Sequence, residues 1–308
     1  DLPDELIGKI QSLEHPKEKH HLDYIRSANQ IINQMRRSYG LPEFDVPEKN
    51  IHIIPEEIFK QLTTEKFGAF YDYRRQLIMI DAGQLKFSDS KLTLATTFLH
   101  EMIHLKGFVS LDIKEEEDRT RTGHRRIGLI VTEGFSQADN NTYYESFRGL
   151  NEAVVSELEY RYAHEVRASS SDIDIKEEAT WLDSNEAKEL KKQAAEQRKI
   201  PIEEIDWISR DGKKWVVKSY REQRRTLRYI VDEISKDTGK STEEIYDIFF
   251  KAHFTGELLE IGRLIERSFG DTSIRVVGMM NEKKDSANQL IDYLKKQRIR
   301  VKKDAKED

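Results

Sequence analysis

Apolar residues recur along this chain at two periods, and the switches between them mark out its elements. Residues 4–39 read as helical. In "YIRSANQIINQM", Ile25, Ala28, Ile31 and Ile32 recur at helical spacing. "YGLPEFDVPEKN" then breaks the pattern with one glycine and two prolines. "IHII" reads as a short strand, and Pro55 suits the opening of a helix that runs to about Leu62. "FGAFYDYRRQLIMID" reads as two strands joined by a polar turn. "SDSKLTLATTFLHEMIHLKGF" returns to the helical period. Ser88, Asp89 or Ser90 caps it and Gly107 stops it. One apolar row is Leu92, Ala95, Leu99 and Ile103, and a second is Leu94, Phe98, Met102 and Leu105. Two rows predict a helix buried over much of its circumference.

"DIKEEEDRTRTGHRR" reads as a charged connection, "IGLIV" as a strand and "TEGFSQADNNTYYESF" as a loop whose end leads into a helix. "RGLNEAVVSELEYRYAHEV" is helical, with Ala153, Val154, Leu158 and Tyr162 on or near its apolar side. Residues 168–219 read as an insertion. It has a linker-like start ("ASSSDIDIKEE"), a charged helix ("SNEAKELKKQAAEQRK") and a hairpin around Asp211-Gly212. The helical period resumes from about Tyr220 to Lys236. Ser241 and Glu244 form a capping box before "IYDIFFKAHF", and further helices cover about 256–268 and 283–298. The organisation expected is an N-terminal helical segment (1–50), a core (51–165), a charged insertion (166–219) and a helical part (220–308) that completes the core's domain. No internal repeat of fixed period is evident.

Composition narrows the class. With 308 residues, 37 % hydrophobic and 35 % charged, the chain has enough apolar side chains for a substantial core and reads as soluble and helix-rich. Net charge is −6, from 51 Lys and Arg against 57 Asp and Glu, so there is no broad basic field and nucleic acid is not an expected partner. The locally basic "KKQRIRVKKDAKED" reads as a solvated helix end and tail. There is no cysteine, which excludes disulfides and thiolate metal sites and fits the cytosol. No stretch approaches the ~20 apolar residues of a membrane span. No signal-peptide pattern opens the chain, which starts at Asp1 rather than Met, as a trimmed or processed chain does.

The chemistry is concentrated in "LHEMIHL". His100 and His104 stand one helical turn apart, so two imidazoles can hold one cation. Glu101 projects to a neighbouring side, within reach of a metal-bound water as general base. A metal needs a third protein ligand. The downstream candidates are His124, Glu133, Glu145, Glu152 and Glu157. The competing reading of Glu152 is a solvated residue on an amphipathic helix, and Glu133 in "TEGF" is the rival ligand.

"HEMIH" followed by a helix bearing "NEA" resembles the gluzincin metallopeptidases, the thermolysin-like branch of the zincins, over about residues 51–165. The order of sheet edge ("QLIMID"), metal helix and glutamate helix is similar to the compact minigluzincins. The resemblance implies a mainly helical α+β fold with a small mixed or antiparallel sheet beside the metal helix. It implies one Zn²⁺ on His100, His104 and Glu152, with Glu101 as base and a peptide or protein as substrate. In thermolysin-like enzymes an aspartate one turn after the glutamate orients a histidine ligand. Here that place is Ser156, with Glu157 beside it. Candidate oxyanion donors are Tyr143, Tyr144, Tyr220 and His253. Tyr220 ranks first because a tyrosine opens the corresponding helical region in minigluzincins. "GMMNE" at 278–282 reads as a loop. No amine-anchoring motif precedes the metal motif, so an endopeptidase is expected. The alternative is a catalytically degenerate zincin-like module serving regulation or protein recognition.

Overall fold

The computed structural model describes residues 10, 12–62, 68–73, 75–83, 90–116, 119–133 and 144–307. The first long helix, α1, spans Lys19–Ser38. A continuous helix over 4–39 was the expectation, but residues 14–18 carry no regular structure. Pro16 explains the break: it has no N–H to donate and pushes the preceding residue out of the helical region. Helix α1 begins instead at Glu18, whose backbone N–H donates to His21 Nδ1 at 3.1 Å. Its buried face includes Tyr24, Ile25, Ala28, Ile31, Ile32 and Met35.

Strand β1 (Ile51–Ile54), helix α2 (Glu56–Leu62) and strands β2 (Ala69–Asp72) and β3 (Leu77–Asp81) follow. The sheet order is β1-β3-β2. β1 runs parallel to β3, with Ile51 opposite Ile78, and β2 runs antiparallel to it, with Ala69 opposite Ile80. Every residue of β1 is buried, as expected of a short apolar run covered on both faces. Helix α3 (Lys91–Lys106) packs on β2, β3 and α1. Ser90 caps it by accepting the Leu92 N–H at 3.1 Å. Both apolar rows are buried, and each fully buried Leu, Ile, Met or Phe contributes about 1.5–3 kcal/mol. The helix ends on Lys106, a fully buried ammonium that donates to Asn33 Oδ1 at 2.7 Å and Asn29 Oδ1 at 3.1 Å. Burial lowers its pKa to about 8.

The charged connection after α3 is a hairpin. β4 (Val109–Glu116) and β5 (Arg119–Ile127) pair antiparallel and continue through β6 (Ile130–Glu133) to β7 (Tyr144–Ser146), in the order β4-β5-β6-β7. "IGLIV" is therefore not one strand: Gly128 (φ 56) and Leu129 turn the chain from β5 into β6. Glycine adopts that left-handed backbone without penalty. "YES" is a strand where the sequence suggested a helix start, and α4 runs over Arg148–Ala168.

The linker-like "SSDIDIKEE" contains helix α5 (Ile173–Leu182), capped by Asp172, which accepts the Asp174 N–H at 2.9 Å. Helix α6 (Asn185–Arg198) and the antiparallel pair β8 (Ile205–Ile208) and β9 (Trp215–Val217) complete this stretch. Five helices follow: α7 (Arg221–Thr238), α8 (Thr242–Thr255), α9 (Leu259–Phe269), α10 (Ser273–Gly278) and α11 (Lys284–Glu307). α10 takes part of what read as a loop, and α11 extends well past 298 into the basic tail. Arg298 on α11 is buried and donates to Glu233 and Asp237 of α7.

The chain is thus mainly helical with small sheets, an α+β class. Asp1–Lys106 with Glu159–Ser219 makes one compact unit, and Gly107–Leu158 with Tyr220–Asp308 makes a second. No described helix is long and apolar enough to cross a membrane.

Candidate metal centre

Helix α3 places His100 and His104 on one side, and both are buried. Their Nε2 atoms face each other at 3.2 Å. The Nδ1 of His100 lies 2.9 Å from Oε2 of Glu159 on α4. A carboxylate accepts there, so the neutral ring carries its proton on Nδ1 and keeps the Nε2 lone pair toward His104.

Glu152 stands on the same helix, seven residues before Glu159, which is two turns and hence the same side. The ligand atoms of His100, His104 and Glu152 all lie within 4.8 Å of one another, so this cluster could hold a metal ion. Glu152 is 6 % exposed, which sets aside the reading of a solvated surface glutamate. Glu101, next to His100, is 7 % exposed.

Glu159 was not singled out from the sequence. The family pattern points to the place one turn after Glu152, at Ser156 with Glu157 beside it. Ser156 is fully buried and its Oγ has no hydrogen-bond partner among the described residues. The carboxylate that reaches His100 comes from one turn further on. The available signal was the seven-residue spacing together with an acidic residue on a helix whose Val154, Val155 and Leu158 are all apolar. Burial raises the Glu159 carboxyl above its ordinary range, while the hydrogen bond from His100 pulls the other way. Arg167 on the same helix lowers it further and is itself paired with Asp206 at 2.6 Å.

The N-terminal end of α4 is fixed by contacts that position Glu152. The Phe147 N–H donates to the Gly278 carbonyl at 2.7 Å and the Gly149 N–H to Met280 at 2.8 Å. Arg148 pairs with Glu145 and with Glu282. "GMMNE" thus supplies acceptors for helix-start N–H groups that would otherwise lack partners. Asn151 Oδ1 accepts the Leu129 N–H at 3.0 Å and a hydrogen bond from His253 Nδ1 at 3.1 Å. A Cβ on Gly128 would lie 2.4 Å from that same oxygen. Asn151 and His253 are both fully buried.

The other candidates fall elsewhere. Glu145 is engaged by Arg148. The His124 and Glu133 side chains and Tyr143 lie outside the described residues. Tyr144 is 68 % exposed. Tyr220 is half-buried, directly before α7, with a left-handed backbone (φ 51, ψ 36).

Comparison with family models, curated proteins and solved structures gives no match for this chain.

Proposed function

We propose that the chain is a zinc-dependent endopeptidase of the gluzincin kind, with one ion held by His100, His104 and Glu152. The observation that carries this reading is the convergence of three ligand atoms within 4.8 Å, two of them from a motif that sets Glu101 directly after the first histidine. Two imidazoles and one carboxylate are a ligand set that catalytic zinc takes, with a further position left for water or substrate. When bound, zinc supplies Lewis acidity, which polarises a carbonyl and acidifies water.

The chain's own residues do the rest. Glu159 holds His100 in one tautomer and orientation and makes its free nitrogen more basic. The Glu101 carboxylate takes the proton of the attacking water and returns it to the leaving amine. The Tyr220 hydroxyl donates to the developing oxyanion. Its left-handed backbone is of the kind that costs a non-glycine residue about 1–3 kcal/mol and clusters at functional sites.

Metal analysis and a peptide-library assay test the reading together. The expected result is near-stoichiometric zinc and cleavage within peptides. Glu101→Gln should keep the zinc and lose roughly a hundredfold or more of kcat. A wild-type protein that loads zinc but cleaves no peptide would leave the non-catalytic zincin-like module as the correct reading.

A further inference from the structure

Arg126 lies on β5, its backbone fixed on both sides by Ser110 of β4 and Val131 of β6. Its guanidinium sits over the Phe108 ring, 5.4 Å from the centroid. Its Nε and Nη2 atoms are shielded from water, and neither has a hydrogen-bond partner among the described residues. A charged donor left this way costs on the order of 1–3 kcal/mol or more. Burial lowers the Arg126 pKa, and no neighbouring carboxylate offsets it among the described residues.

The identity of the orphaned atoms is informative. Nε and Nη2 form one of the two sides of a guanidinium that meet two carboxylate oxygens in a bidentate pair. The side chain as a whole is part-buried, on a strand of the four-stranded sheet. A short run of contacts connects it to Glu152. Phe108 donates its N–H to the His253 carbonyl at 3.0 Å, and His253 bonds Asn151, the residue before Glu152.

We propose that Arg126 is a carboxylate-binding residue, pairing two-on-two with a carboxylate of the bound peptide. That carboxylate is either the peptide's C-terminal group or an Asp or Glu side chain. The assignment to a peptide rests on the peptidase reading; the carboxylate site does not.

The test uses zinc-loaded wild type, Arg126→Lys and Arg126→Met, each checked for zinc content and circular dichroism. One peptide is supplied as free acid and as C-terminal amide, and a second pair exchanges Glu for Gln beside the bond cleaved. Binding is read by calorimetry on the Glu101→Gln background, and turnover on the parent. Wild type should favour one carboxylate form roughly tenfold to a hundredfold, the worth of a charged hydrogen-bonded pair. Which pair shows the preference identifies the source of the carboxylate. Both variants should lose the preference. Lysine loses it because a point charge cannot reproduce the two parallel bonds. Equal binding of acid and neutral forms by wild type, no binding of either, or a preference that survives in Arg126→Lys and Arg126→Met would overturn the proposal. Binding with preference but no turnover by the parent would overturn the peptidase reading alone.

Discussion

His100 is held by a carboxylate from the helix that also carries the third candidate ligand, so one element supplies both a candidate ligand and the hydrogen-bond partner of another. A second carboxylate bonded to a metal-bound imidazole typically accounts for 10–100-fold in metal affinity. Glu159→Gln keeps the shape and a hydrogen-bond acceptor but removes the charge. It should weaken zinc binding by roughly that range, measured by competition with a chromogenic chelator. Affinity equal to the parent's would reduce Glu159 to a packing role. At this scale the sequence was legible for the pairing of His100 with His104, because a one-turn spacing within one helix needs no knowledge of the fold. Glu159 was not legible. A lone Glu on a helix reads as solvated until packing shows that it is 5 % exposed.

Among the elements, α1 carries a pH-sensitive cap. His21 Nδ1 accepts the Glu18 N–H, which requires a neutral ring. Burial first, then the neighbouring His20, lowers its pKa from 6.5 to about 3. The unfolded chain therefore takes up this proton from about pH 6.5 downward, but the folded chain only near pH 3. Its contribution to stability is full above that window and is lost progressively as pH falls through it. Urea unfolding of the wild type followed downward from about pH 7 should show this loss. His21→Gln, which preserves a capping-box acceptor without a titrating ring, should show a shallower fall. Parallel curves for the two proteins would remove His21 as the titrating group. The sequence was legible for the helices with apolar stripes. It was not for β4 and β5, whose alternation is hidden by charge: "RTRTGHRR" offers few apolar positions to mark a face, and the strands are held by the backbone ladder instead. α5 was misread for a related reason. Its first turn is acidic, and only Ile175 and Leu182 are buried.

For the molecule as a whole, a metal bound at the His100–His104–Glu152 cluster would stabilise the folded chain by mass action, about 2.7 kcal/mol at a free concentration a hundred times Kd. Dipicolinate should lower the Tm by several degrees, and added zinc should restore it. A melting curve indifferent to both would mean that the native chain binds no zinc at these residues. The mainly helical α+β class and the motif-bearing buried helix followed from the sequence alone. Each is written in the spacing of residues a few positions apart, and spacing is a local property of the backbone period. The tertiary structure alone decided that Glu152 brings its ligand atom to the two histidines. It also decided that "GMMNE" and the Asn151–His253 pair fix the start of α4, that Glu159 holds His100, and that one edge of Arg126 is left without a hydrogen-bond partner among the described residues. These are meetings of atoms from segments far apart in the chain. Whether a polar side chain faces water, a partner or nothing depends on what packs against it, and hydrophobic periodicity carries no record of that.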